Sequence, residues 1–165
     1  MRLAFIAIVF AIFLPLTAQT PALDENSYYR LTNSYLGDAY SLDSTGSGKL
    51  VPVMSKSADT AGQYWKLARW NGGCYRLTND LLGPDRALDN DNTGDHPPSM
   101  HLTGNYSGQC WRLTPERDGY IRLTNDYLGN SHSLDTYSDR EHAPFMAESG
   151  TASGQYWKLT PLARR

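Results

Sequence analysis

The sequence predicts an all-β protein assembled from three copies of one unit. The tetrapeptide Arg-Leu-Thr-Asn at residues 30–33 returns at 76–79 and at 122–125, and both steps are 46 residues long. A unit of this size is too small to bury a hydrophobic core alone and must pack against the other two copies. The repeat therefore predicts a single domain with internal threefold symmetry.

A Gln-x-Trp triplet recurs with the same spacing, so no insertion or deletion separates the copies. The triplets occupy residues 63–65, 109–111 and 155–157. Apolar residues that recur in every copy predict the core. In the first copy they are Leu31, Leu36, Leu42, Met54, Trp65 and Leu67.

Each copy divides into four short apolar segments separated by turn-forming residues. In the first copy the predicted strands are 28–32, 40–42, 50–54 and 63–67. In the first of them, Tyr29 and Leu31 alternate with more exposed positions, which is the two-residue period of a half-buried strand, whereas helical spacing fails throughout. Twelve such strands in three equal sets are best buried as a closed barrel with a threefold cap. The alternative, a propeller, usually needs four or more blades.

The first residues predict a secretion signal. Arg2 precedes an unbroken apolar run at 3–16, which is shorter than the roughly 20 residues of a membrane-spanning helix but suits a signal peptide. Cleavage is expected after Ala18, with Ala22 as an alternative site and an uncleaved anchor as the other interpretation. The expected organisation is a signal peptide at 1–18, a lead segment at 19–27 and a β domain at 28–165, with lobes 28–73, 74–119 and 120–165.

Composition argues against several classes of function. The formal net charge is −2 at pH 7 and there is no basic cluster, so neither nucleic acid nor an anionic membrane surface is an expected partner. No membrane insertion is expected once the signal is removed. The oligomeric state stays open.

Motifs for catalysis or for cofactors are missing from the sequence. The sequence has no Gly-x-Ser-x-Gly motif, no His or Cys spacing typical of zinc sites, and no phosphate-binding loop. It also shows no element that would hold two carboxylates at the fixed separation of a hydrolase pair. Residues 89–94 begin like a calcium loop, but its twelfth position is Met100 instead of Glu. We therefore expect a protein that is not an enzyme and that uses no cofactor or metal ion.

Each Gln-x-Trp triplet is preceded by a Leu-Asp pair, and this combination resembles the ricin B-type lectins. The pairs are 42–43, 88–89 and 134–135, so the resemblance covers essentially all of the mature chain. It implies a β-trefoil of three 46-residue lobes, each able to hold a shallow galactose-type or xylan-type site. The family pattern has an Asp on the second strand, an aromatic residue ten positions before the Trp, and an Asn-Gln pair just ahead of the Trp.

Mapped onto this sequence, the pattern is most complete in the second lobe. The aromatic position reads Ser55, His101 and Ala147, and the Asn position is Gly in every lobe: Gly62, Gly108 and Gly154. The resemblance therefore implies a best carbohydrate site formed by Asp89, His101, Asn105 and Gln109. The weaker candidates are Asp43 and Gln63 in the first lobe and Asp135, Tyr137 and Gln155 in the third.

Two interpretations stay open for these residues. A sugar needs directional hydrogen-bond groups and an aromatic face, which the second lobe can supply. The repeated Asp and Gln can equally brace hairpins by satisfying buried backbone groups. The corresponding functions are a secreted protein that binds glycans or glycoproteins, and a trefoil without sugar binding that acts as a protease inhibitor or another protein-binding factor.

The two cysteines fall in one lobe, at positions where the other lobes carry tyrosines. Cys74 aligns with Tyr28 and Tyr120, and Cys110 aligns with Tyr64. Because the first and last strands of a trefoil lobe are neighbours, the two thiols are expected on one outer face of adjacent strands. Secretion supplies an oxidising compartment. We therefore predict a Cys74–Cys110 disulfide.

Overall fold

The computed structural model describes residues 23–46, 50–90, 97–136 and 143–163. Its twelve strands fall four to a repeat. The first lobe contains β1 (Tyr29–Asn33), β2 (Tyr40–Asp43), β3 (Val53–Lys56) and β4 (Trp65–Arg69). The second contains β5 (Tyr75–Asn79), β6 (Gly83–Asp89), β7 (Ser99–Leu102) and β8 (Trp111–Pro115). The third contains β9 (Ile121–Asn125), β10 (His132–Thr136), β11 (Pro144–Glu148) and β12 (Trp157–Pro161).

Six of these strands form a closed antiparallel barrel. The first strand of each lobe pairs over five residues with the last strand of the preceding lobe, as β1 with β12, β5 with β4 and β9 with β8. Within each lobe the first and last strands meet at a single pair, such as Tyr29 with Trp65. The ring therefore closes, which removes the exposed edges of an open sheet.

The remaining strands form three hairpins, β2–β3, β6–β7 and β10–β11, one for each lobe. This arrangement confirms the predicted all-β trefoil with pseudo-threefold symmetry. Among the described residues, no helix is long and apolar enough to span a membrane. The signal-peptide prediction concerns residues outside the described part of the chain.

Three tryptophans tie the hairpins to the barrel. Trp65, Trp111 and Trp157 are fully buried, and each indole Nε1 donates a 2.8 Å hydrogen bond to the carbonyl of the Leu that precedes the lobe's Asp. A buried indole needs such an acceptor, because an unpaired N–H away from water is costly. Leucines at equivalent positions complete the threefold core.

The predicted third strand of the first lobe was misplaced. It was expected at 50–54, whereas β3 begins at Val53. Pro52 has no N–H to donate to a sheet, and Leu50 has a positive φ of 53°, so the chain turns before it extends. The expected fourth strand also began too early, because Gln63 lies in a 3-10 turn at Ala61–Gln63.

The Cys74–Cys110 disulfide is present, with a Cα–Cα distance of 5.3 Å. The predicted pairing is confirmed, with Cys74 just before β5 and Cys110 just before β8. Cys74 is 0% and Cys110 7% exposed. The Asn71 carbonyl oxygen lies 3.2 Å from Cys74 Sγ, and Asp126 Oδ2 lies 3.1 Å from Cys110 Sγ, so the turn before β5 and the residue after β9 cover the bridge.

Candidate functional site

The glutamine of each Gln-x-Trp triplet lies in a 3-10 turn just before the lobe's last strand, and its side chain reaches back into the hairpin. In the second lobe, Gln109 Nε2 donates to Asp89 Oδ2 at 2.8 Å and to the Leu102 carbonyl at 2.9 Å. Its Oε1 accepts from Gly104 N at 3.0 Å. Gln109 thereby fixes the end of β6, the end of β7 and the loop that follows.

The other two lobes repeat this set of glutamine hydrogen bonds, which we call the brace. Gln63 Nε2 donates to Asp43 at 3.2 Å and to the Lys56 carbonyl at 2.8 Å. Gln155 donates to Asp135 and to the Glu148 carbonyl, both at 2.9 Å. Gln63, Gln109 and Gln155 are all at most 1% exposed. These contacts favour the structural interpretation of the repeated Asp and Gln over direct sugar contact.

The same brace explains why glycine stands where the family pattern has Asn. A Cβ placed on Gly62, Gly108 or Gly154 would collide with the Oδ1 atom of the lobe's Asp, and the carbonyl of the next residue is also too close for a Cβ. The Asp carboxylate therefore occupies the space that a side chain at this position would need. In the third lobe, Asp135 Oδ1 also accepts from Thr136 N at 2.7 Å.

Three of the predicted residues, Asp89, His101 and Asn105, line one open groove of about 760 Å³. We call it the second-lobe groove. Its other polar lining residues are Arg86, Ser99 and Ser107. Its apolar and aromatic lining consists of Leu50, Met100, His101, Leu102, Tyr106 and Tyr127. Gln109, predicted for the same site, lies behind the groove as its brace.

Exposed aromatic and apolar side chains are concentrated in this groove. Leu102 is 66%, Tyr106 60% and Tyr127 45% exposed. His101 is also exposed, while Asp89 is 3% exposed and presents little of its carboxylate. The groove therefore combines ring faces with hydroxyl, amide and guanidinium groups, which is the mixture that a sugar requires.

The Tyr106 ring rests on a braced section of backbone. A Cβ on Gly104 would overlap the Tyr106 ring, so glycine lets the ring lie against the chain. Gly104 is held from both ends, because its N–H donates to Gln109 Oε1 and its carbonyl accepts from Arg76 Nη2. The brace thus gives Gln109 and Arg76 a positioning role for the groove.

Two groove residues, Tyr106 and Tyr127, were not predicted as site residues. Tyr106 follows Asn105. The sequence could have pointed to it, because the aligned residues of the other two lobes, Thr60 and Ala152, are not aromatic. Tyr127 belongs to the third lobe and reaches the groove only through the packing of the lobes, which one repeat does not reveal. The first and third lobes have Ser55 and Ala147 where the second has His101, and Tyr137 lies outside the described residues.

Metal binding has no support from the part of the chain that the structure describes. Within it, no three His, Cys, Asp or Glu side chains are grouped as a metal site would require. Residues 91–96, which include most of the loop that begins like a calcium site, lie outside the described ranges.

Comparison with known proteins agrees with the trefoil architecture. No protein-family model and no curated protein sequence matches the chain. A designed threefold-symmetric protein, ThreeFoil, is similar to it with a TM-score of 0.71 and 24% identity, over 82% of this chain and 99% of that one. A ricin B-like lectin from Macrolepiota procera, solved in complex with lactose, has a TM-score of 0.67 and 14% identity, over 84% and 98% of the two chains.

A GlcNAcα1-4Gal-releasing endo-β-galactosidase from Clostridium perfringens is also similar, with a TM-score of 0.72 and 18% identity. The similarity covers 84% of this chain but only 33% of that enzyme. At identities this low the comparisons show the fold alone. They confirm the resemblance to ricin B-type β-trefoil lectins at that level.

Proposed function

We propose that this protein is a secreted carbohydrate-binding protein, without catalytic activity, whose principal glycan site is the second-lobe groove. The observation that carries the proposal is the concentration of exposed rings beside polar groups in that groove. The apolar run at 3–16 supports secretion, and the trefoil fold shared with ricin B-like lectins supports glycan binding.

The groove offers a glycan accessible side chains, whereas the repeated Gln residues and Asp89 and Asp135 are buried. A sugar ring has one apolar face, which the exposed rings of His101, Tyr106 and Tyr127 can cover. Its hydroxyls can bond to Asn105 and to the other polar lining groups. Galactose-type and xylan-type glycans are the candidates that the family resemblance supplies.

The size of the groove favours an oligosaccharide over a single sugar. A volume of about 760 Å³ lies in the range of sites that enclose drug-sized ligands. Tyr127 comes from the third lobe, so a ligand that contacts both His101 and Tyr127 spans two lobes. Affinity for one sugar unit should be weak, and useful binding should come from several units bound together.

The alternative is a protein-binding trefoil such as a protease inhibitor. One observation favours it: the Asp and Gln residues that suggested sugar binding are committed to hairpin contacts in every lobe. Exposed Leu102 and Tyr106 would also suit a protein partner.

A glycan array probed with the mature protein separates the two functions. The triplet Asn105-Tyr106-Ser107 is an acceptor for N-glycosylation, so the protein should be made in a host that leaves Asn105 unmodified. Binding displaced by free lactose, galactose or xylo-oligosaccharide supports the carbohydrate function. A blank array together with tight capture of a protease would contradict it.

Substitution of one ring then tests the location of the site. We expect Tyr127→Ala to weaken binding to the best array glycan about tenfold, equivalent to about 1.4 kcal/mol, because an aromatic contact is lost. Tyr35→Ala is the matched control, because Tyr35 is an exposed tyrosine at the equivalent position of the first lobe. Equal losses in the two variants would rule out the second-lobe groove as the site.

A further inference from the structure

The chain contains one acceptor triplet for N-glycosylation, and it lies in the second-lobe groove. Of all the asparagines in the sequence, only Asn105 is followed two residues later by Ser or Thr without an intervening proline. The aligned segments of the other lobes, 59–61 and 151–153, contain no such triplet. The acceptor therefore occurs in the lobe that has the groove, and both Asn105 and Ser107 line it.

The acceptor side chains are accessible, and the backbone that carries them is fixed. Asn105 and Ser107 are exposed, and within the described ranges neither side chain has a hydrogen-bond partner. Tyr106 between them has an extended backbone, with φ −110° and ψ 139°, and a 3-10 turn begins at Ser107. On the other side, Gly104 N donates to Gln109 Oε1. A sugar attached to Asn105 would therefore start from a defined position at the groove.

Two other features of the chain fit the compartment in which N-glycosylation occurs. The apolar run at 3–16 predicts entry into a secretory pathway. The Cys74–Cys110 bridge is the kind of cross-link that forms and persists in an oxidising compartment. In a eukaryotic host, the same route brings the chain to the machinery that modifies asparagine.

The apolar surface beside Asn105 is suited to being covered by a sugar. Leu102 at 66% and Tyr106 at 60% are the most exposed of the large hydrophobic side chains in the described part of the protein, and Tyr127 is 45% exposed. Exposed apolar clusters of this kind mark binding surfaces. A glycan on Asn105 begins among these side chains, so its sugar rings can lie on the same aromatic faces that a free glycan would use.

We propose that Asn105 is N-glycosylated when the protein passes through a eukaryotic secretory pathway, and that the attached glycan occupies the second-lobe groove and excludes other ligands. The inference rests on the proposed function, because it assigns a regulator to the same site. In the modification, the side-chain amide nitrogen of Asn105 forms a bond to the anomeric carbon of an oligosaccharide carried on a lipid pyrophosphate. The bond from that carbon to the pyrophosphate oxygen breaks, the lipid pyrophosphate leaves, and the amide releases one proton.

An attached sugar needs little affinity of its own to fill the groove. A short flexible tether converts binding into an intramolecular step with an effective concentration in the millimolar range. If one sugar unit binds with a dissociation constant on the order of 1 mM, an effective concentration of about 10 mM fills the groove about nine tenths of the time. A free glycan that competes for the groove then loses about tenfold in apparent affinity.

Mass spectrometry of glycopeptides tests the modification itself. The full chain, with its own N-terminal segment, is produced in cultured insect cells and recovered from the medium. We expect an N-linked glycan on Asn105 in most molecules, because the acceptor triplet is exposed. A secreted protein in which Asn105 is mostly unmodified would overturn the proposal.

Tyrosine nitration by tetranitromethane tests whether the glycan covers the groove. The glycosylated protein is compared with the same mature chain from a host that does not glycosylate. We expect nitration of Tyr106 and Tyr127 to be several-fold slower in the glycosylated protein, and nitration of Tyr35, an exposed tyrosine of the first lobe, to be unchanged. Equal nitration of Tyr106 and Tyr127 in the two preparations would overturn the proposal.

Binding to the best array glycan is measured on the same two preparations, and we expect it to be about tenfold weaker in the glycosylated protein. Equal binding would overturn the proposal. Nitration does not depend on a free ligand, so the two hypotheses fail separately. Protection of both groove tyrosines supports the inference even where neither preparation binds the array, a result that contradicts only the proposed function.

A glycan moved to the third lobe provides the matched control. The double variant Asn105→Gln/Thr151→Asn removes the natural acceptor and creates one at 151–153, the aligned segment of the third lobe, where Thr151 is exposed. In its glycosylated form, we expect Tyr106 and Tyr127 to be nitrated as fast as in the unmodified wild type. Protection as strong as that given by the glycan on Asn105 would contradict the proposal, because shielding would then not depend on attachment in the groove.

Discussion

Replacing Gln155 by alanine is expected to lower the free energy of unfolding by about 3 to 5 kcal/mol, because the side chain joins a buried polar network. Its Oε1 accepts from Ser133 Oγ at 2.9 Å and from Arg122 Nη1 at 2.8 Å. Its Nε2 donates to Asp135, which is fully buried. The alanine variant leaves that carboxylate with one donor fewer in a site that water does not reach.

Urea unfolding of the wild type and the variant measures this loss. Thr151→Ala is the matched control, because Thr151 is exposed at the same end of the third lobe and should change stability by less than about 0.5 kcal/mol. A loss below about 1 kcal/mol for Gln155→Ala would show that the brace contributes little. Glycan binding by the folded fraction should not change, because Gln155 lies outside the second-lobe groove.

Removal of the disulfide should have the second largest effect. The bridge closes a sequence separation of 36 residues. For a loop of that length the chain-entropy model predicts a stabilisation of about 3 to 4 kcal/mol. In a domain of this size, the double variant Cys74→Ser/Cys110→Ser should therefore melt on the order of 10 °C below the wild type.

Reduction of the wild type provides the control for this variant. Reduced wild type and the double variant should have similar melting temperatures, since both lack the cross-link in the unfolded state. Two thiols that react with an alkylating agent in the folded, unreduced protein would contradict the bridge. Equal melting temperatures for oxidised wild type and the double variant would contradict its contribution to stability.

Much of the fold could be predicted because the sequence repeats one structural unit three times. The 46-residue spacing of the Gln-x-Trp triplets fixed the number of lobes, and the apolar alternation indicated strands. Strand boundaries were less predictable. Around Leu50 a positive φ and the missing N–H of Pro52 delay the third strand, although the local composition is apolar.

The candidate site was only partly predictable. His101 was identified because it breaks the threefold pattern at an aromatic position, and the structure brings it together with Asp89 and Asn105. Sequence alone could not tell whether Gln109 faces a ligand or the hairpin, since both roles use the same hydrogen-bonding groups. The contribution of Tyr127 depends on how two lobes pack, and a pattern within one repeat contains no information about it.

The most direct test of the central claim is a ¹⁵N NMR titration of the unglycosylated mature protein with lactose and with xylotriose. If the second-lobe groove is the glycan site, one of these sugars will cause saturable shifts concentrated at His101, Asn105, Tyr106 and Tyr127. The His101→Ala variant will show the same shifts only at higher sugar concentration. Saturable shifts centred on the β2–β3 or β10–β11 hairpin, or none with either sugar, would contradict the claim.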